Sequence, residues 1–114
     1  MPDPIVIRQQ RAARNQAMFR EINERLEEIG RDFDAREYQP FVCECAAADC
    51  VEPLELTIDE YESVRRDGAT FVVAAGHIYP FVERVVLRNG RFTVVEKFEA
   101  GAELAQAHDP RAGT

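Results

Sequence analysis

The chain has 114 residues, 46% of them hydrophobic and 31% charged, which suits one globular domain and argues against whole-chain disorder. The formal net charge of −7 is unevenly spread: residues 1–20 carry four arginines against Asp3, or +3, and the remainder carries −10. An acidic body repels phosphate backbones, which disfavours nucleic-acid binding by the main domain; no apolar run approaches the roughly 20 residues of a membrane helix.

Residues 1–14 read as a basic N-terminal arm: Ile5, Val6 and Ile7 followed by Arg- and Gln-rich sequence, suited to contact with a partner. The start MPDPIVIRQQ lacks the basic-then-apolar order of a signal peptide, which points to the cytoplasm. From Asn15 to Ile29 the pattern is helical. Met18, Ile22, Leu26 and Ile29 recur at spacings of four, four and three, and Gly30 follows as a stop. This stripe reads first as the face that docks on the domain's own sheet. The alternative is contact with a protein partner, or with a second copy to form a homodimer.

A polar stretch leads to Pro40 and then to PFVCEC, whose alternation reads as a short strand with Phe41, Cys43 and Cys45 on one side. VEPLEL is a second extended piece, held to a sheet edge by Pro53. Thr57 followed by Glu60 forms a capping box for a helix burying Ile58, Tyr61 and Val64 and ending at Gly68. TFVVAA is a strand closed by Gly76 and His77. In VERVVLRNGRFTVVEKF, Asn89-Gly90 suits a type I′ turn pairing Arg88 with Arg91 and Leu87 with Phe92. Residues 99–114 read as a flexible acidic tail. The expected fold is α+β: an N-terminal helix plus a small antiparallel sheet with one further helix, in a single domain over 15–98 organised around a zinc site.

All three cysteines lie within FVCECAAADC. Clustered thiols in a cytoplasmic protein favour metal binding or redox chemistry over disulfides. Spacing by two on a strand sets Cys43 and Cys45 on one side, and the AAAD loop can return Cys50 to them. Small alanines permit close wrapping and leave N–H groups to donate to sulfur. Zinc takes four tetrahedral ligands, and Cys3His is a common structural set. Of the two histidines, His108 lies in the tail, so His77 is the expected fourth ligand. A histidine at a strand end also serves as a cap, and Asp49, Glu44, Glu52 or water are the substitutes at the fourth place. Unliganded or redox-active thiols, an iron–sulfur cluster and a disulfide are the competing readings of the cluster.

The run from FVCEC through LTIDEYESVR and GH to VVEK, with the preceding helix NQAMFREINERLEEI, resembles a group of small uncharacterised bacterial proteins of actinobacterial type. Their shared features are a C-E-C-x4-C segment, an L-T-x-x-E-Y helix and a G-H at a strand end. The resemblance spans roughly residues 12–97 and implies that Cys43, Cys45, Cys50 and His77 form one set; it implies no activity.

H-E-x-x-H, the deaminase signature, a phosphate loop and G-x-S-x-G do not occur in the sequence. The expected function is therefore a non-enzymatic, cytoplasmic zinc-binding adaptor or regulatory protein acting through its N-terminal helix, with structural zinc. A zinc–thiolate redox sensor is the alternative, and a zinc-dependent hydrolase with an open coordination place comes third.

Overall fold

A proline tolerates the first helical position because its missing N–H would find no helical acceptor there. Pro4 opens α1 (Pro4–Asp32) in this way, with Ile7 N–H donating to the Asp3 carbonyl at 3.1 Å. A computed structural model describes residues 3–33, 37–45, 47, 49–50, 52–80, 83–98 and 100–111. The helix expected from Asn15 thus starts eleven residues earlier, and the basic segment expected as an arm is its first half. Ala, Arg and Gln are good helix formers, and nothing after Pro4 breaks the run.

α1 is followed by β1 (Gln39–Val42), β2 (Pro53–Leu56), α2 (Ile58–Arg65), β3 (Thr70–Val73), β4 (Glu83–Arg88), β5 (Thr93–Lys97) and α3 (Ala100–Ala107). The α+β class holds, with two sheets where one was expected and two helices after α1. β1 and β2 form an antiparallel pair with Phe41 opposite Leu54; the other sheet has the order β3-β5-β4, antiparallel throughout. The capping box is present: Glu60 N–H donates to Thr57 Oγ1 at 3.1 Å and Thr57 N–H to Glu60 Oε1 at 2.8 Å. The core gathers Phe41, Leu54, Leu56, Tyr61, Val64, Phe71, Val72 and Val95, with the Phe41 and Tyr61 rings stacked at 4.6 Å.

The buried face of α1 is mostly polar, with Ala13 and Phe19 its buried apolar members. Gln16, Arg20, Asn23 and Glu27 are almost inaccessible, whereas Met18, Ile22 and Ile29 are 47, 40 and 55% exposed. Docking of the apolar stripe on the chain's own sheet is therefore corrected for Met18, Ile22 and Ile29, while Leu26, half-buried, does pack against the core. The reason is the demand for donors and acceptors inside. Asn23 Nδ2 donates to the Val42 carbonyl at 2.8 Å, and Val42 N–H donates to Asn23 Oδ1 at 2.8 Å, so one side chain completes the edge of β1 as a neighbouring strand would. Gln16 Nε2 donates to the Glu44 carbonyl and to Glu83, and Arg20 donates to the Thr70 carbonyl while lying over the Phe71 ring.

The hairpin turn is centred on Gly90-Arg91, one place later than expected, so Arg88 faces Thr93 and Leu87 faces Val94. Asn89 sits at the turn's first position, where its Oδ1 accepts from the N–H groups of Arg91 and Phe92. That capping outcompetes a type I′ turn, and Gly90 does not take a positive φ. A bulge at Val86 shifts the register between Val85 and Leu87.

The segment expected as a flexible tail is also corrected over its described part. α3 packs on α1, and beyond it Asp109 receives Arg65 while Arg111 spans Glu24 and Glu62. Burial and a hydrogen bond shared with Glu62 push the Glu27 carboxyl up to about 7, against the pull of Arg31; Arg111 and the same shared bond hold Glu62 down to about 2.

These contacts predict the behaviour of three variants. Asn23→Leu, similar in volume, strips partners from the Val42 N–H and C=O and from Glu44, and is expected to cost about 3 kcal/mol in urea unfolding. Ile22→Asn, one residue away on the outer face, is expected to stay within about 0.5 kcal/mol in the same measurement on dilute protein. For Glu27 the folded state holds a proton that the unfolded chain has released between the ordinary carboxyl range and pH 7, so its contribution to stability falls as pH rises through that window. Glu27→Gln should flatten the decline and make the protein about 1 kcal/mol more stable than wild type at pH 8 relative to pH 5.

Candidate metal centre

Three loops bring the thiols and the imidazole together. After β1 the chain stays extended: Cys43 N–H donates to the Glu52 carbonyl at 3.0 Å, and Glu44 N–H donates to the Val72 carbonyl at 2.8 Å. Residues 43–45 thereby join the two sheets. The period of two along extended chain sends Cys43 and Cys45 to one side and Glu44 to the other. A turn closed by Cys50 N–H on the Ala47 carbonyl at 3.0 Å returns the third thiol. His77 follows β3 through a turn in which its N–H donates to the Ala74 carbonyl at 3.0 Å. Gly76 sits at the third position of that turn with φ of 83°, a left-handed conformation that L side chains rarely adopt.

The ligand atoms of Cys43, Cys45, Cys50 and His77 all lie within 4.8 Å of one another. His77 Nδ1 is 3.4 Å from Cys43 Sγ and 3.6 Å from Cys50 Sγ. Zinc–sulfur and zinc–nitrogen bonds of about 2.3 and 2.0 Å place the corners of a tetrahedron about 3.5–3.8 Å apart. The two imidazole–thiol distances match that spacing, and the four residues are close enough to hold a metal ion.

The surroundings are arranged for thiolate. Ala74 N–H donates to Cys43 Sγ at 3.2 Å, and the N–H dipoles of Cys45 and Ala47 favour thiolate at Cys43 and Cys45. Burial nevertheless pushes the Cys43 and Cys45 thiols up, outweighing those donors. A divalent cation held there would supply the compensation that the backbone alone does not. On the outer side, Glu52 Oε2 lies 3.4 Å from His77 Nε2. This carboxylate favours the proton on Nε2 and leaves the Nδ1 lone pair facing the thiols, an outer contact common to metal-bound histidines.

The substitutes considered for the fourth place fall elsewhere. Glu44 is fully buried on the opposite side, accepting from Asn23 Nδ2 at 2.9 Å, Tyr61 OH at 2.8 Å and Val72 N–H at 3.1 Å. Asp49 is exposed and outside the cluster, and Glu52 acts on the imidazole's far nitrogen. His108 lies just past α3. Of the alanines, Ala47 lies beside Cys45 and its N–H dipole favours thiolate there, while Ala46 and Ala48 lie outside the described residues. The orienting role of Glu52 was not read from sequence; its place one residue before Pro53, opposite the Cys43 N–H, is visible only once β1 and β2 are paired.

A cleft of about 330 Å3 beside the centre is lined by Cys45, Ala47, Gly76, His77, Ile78 and Tyr79. No protein-family model, curated protein or solved structure matches the chain.

Glu52→Gln is expected to weaken metal binding about tenfold without unfolding the protein, because it leaves the ligands in place and loosens only the imidazole. Competition against a chromophoric chelator measures this, and an unchanged affinity would separate Glu52 from the centre.

Proposed function

We propose that Cys43, Cys45, Cys50 and His77 hold one structural zinc ion, and that the protein is a cytoplasmic zinc-binding adaptor or regulatory protein acting through protein contacts of α1. The observation that carries the metal reading is the convergence of four soft or borderline ligand atoms within 4.8 Å. Three thiols and an imidazole gathered within 4.8 Å suit zinc better than the oxygen-seeking magnesium or calcium. Four protein ligands fill the shell, which favours a structural over a catalytic role. The centre ties the loop after β1 to the turn after β3, where two short sheets have little core of their own to hold them in register. Reduced thiols in this number fit a reducing compartment. Among the described residues no helix is long and apolar enough to cross a membrane.

The contact role rests on the outward apolar face of α1. Removing α1 is not a clean test, because its inner face completes the fold through Asn23 and Gln16. Substitution of the outer face leaves those bonds intact.

A second reading is favoured by the cleft at Cys45 and His77 and by the partial exposure of Cys50, which give a small oxidant access. In a redox sensor, one peroxide would convert two thiolates to a disulfide, with two protons completing two waters, and zinc would leave.

Elemental analysis of the purified protein is expected to give one zinc per chain. Cys45→Ser should lower that content and melt the domain, since metal binding and folding are coupled in such centres. An unchanged metal content in Cys45→Ser would sink the assignment. Peroxide titration with a zinc indicator separates the two readings: slow or absent release marks a structural ion, and prompt stoichiometric release marks a sensor.

A further inference from the structure

Met18, Ile22 and Ile29 form a line along α1 directly opposite the buried Gln16, Arg20, Asn23 and Glu27. At alternating spacings of three and four that line continues from Ile22 through Arg25, Ile29 and Asp32 in one direction and through Met18, Asn15 and Arg11 in the other, the repeat of a two-helix seam, with Arg14 on its flank. Charge along it is polar: basic over the first half of the helix, predominantly acidic toward the end with Glu21, Glu28 and Asp32 flanking. Phe33, 82% exposed, follows at the acidic end.

We infer that the outer face of α1 pairs with the same face of a second copy of this chain, the two helices antiparallel. The inference rests on the reading of α1 as the contact helix and names its partner. A parallel pair sets Arg14 against Arg14 and Asp32 against Asp32. The antiparallel pair sets Arg14 against Asp32 of the second copy and Arg25 against Glu21, with a two-fold axis near residues 22–25. In that register Met18 meets Ile29 of the second copy twice over, Ile22 lies at the axis, and Phe33 comes beside the Arg14 guanidinium of the second copy. The arginine stems add apolar cover while their heads reach the rim. Such a pairing is isologous and closed, so it stops at two. α1 is about 43 Å long, and the shared span of residues 14–32 is about 28 Å at 1.5 Å per residue. A single helix pair of that length falls below the roughly 1,200 Å2 of a standard interface, in the class of weak, reversible contacts.

Sedimentation equilibrium of the metal-loaded wild-type chain should show a mass rising with concentration from 13.0 kDa to twice that value. Ile22→Glu with Ile29→Glu should stay at the chain mass, with circular dichroism and zinc content unchanged because both positions lie outside the core. Arg14→Glu alone and Asp32→Arg alone should each weaken self-association several-fold, and their equimolar mixture should restore it as a heterodimer. A wild-type chain that stays at 13.0 kDa up to millimolar concentration overturns the inference, as does a dimer that survives Ile22→Glu with Ile29→Glu. Failure of the mixture to restore association overturns the antiparallel arrangement. Zinc content measured on the same samples judges the metal reading separately.

Discussion

Everything in this fold meets at the buried carboxylate of Glu44. A carboxylate with no access to water is costly unless it is fully hydrogen-bonded. Here three donors come from three elements: Asn23 from α1, the Tyr61 hydroxyl from α2 and the Val72 N–H from β3. Burial, reinforced by Glu44 itself, pushes the Tyr61 hydroxyl up, which keeps it a proton donor. The backbone of the same residue joins β3 through Val72, and its neighbour Cys43 joins the β2 side through Glu52. One extended tripeptide therefore registers both sheets and two helices.

The same tripeptide carries half of the candidate metal shell. Cys43 and Cys45 point one way and Glu44 the other, so the metal side and the helix side are opposite faces of three residues. Any displacement of Glu44 moves two ligands, and any opening of the thiol cluster pulls on the carboxylate's partners. A metal ion held by these thiols would for this reason be coupled to the docking of α1. The ion pairs at the periphery are weaker contributors where solvent reaches them, as for Arg84 with Glu96. Arg65 differs, because its side chain is fully buried between Glu24 and Asp109, and losing one acceptor there would strand a charge.

The site was more legible in the sequence than the fold around it. Cys-x-Cys on a strand, a small-residue loop to Cys50 and a histidine after a strand-ending glycine each have a local cause, and together they selected the four residues that the structure brings within 4.8 Å. The capping box at Thr57 was legible for the same reason. What failed was long-range. The helical period of Met18, Ile22, Leu26 and Ile29 was read correctly, but the side facing inward was assigned by hydrophobicity, and the interior required hydrogen bonds. The signal was present in Gln16, Arg20, Asn23 and Glu27, spaced four, three and four. It becomes meaningful only beside a buried Glu44 and an unpaired β1 edge, neither of which a single segment reveals. The hairpin erred by one residue because Asn89 can serve a turn either by positive φ or by its side chain, and the Val86 bulge that accompanies the choice has no sequence mark.

The inverted polarity of α1 has a physical consequence for the molecule's surface. A helix has about one face to bury in its own domain. Here that face is occupied by amides, a guanidinium and a carboxyl, because β1 and Glu44 need partners more than they need apolar cover. Met18, Ile22 and Ile29 are thereby left outside, spaced by four and seven and flanked by charge of opposite sign at the two ends. Satisfying the interior of one chain thus creates an unsatisfied stripe on its exterior, and the surface best matched to that stripe in both spacing and charge is the same stripe reversed.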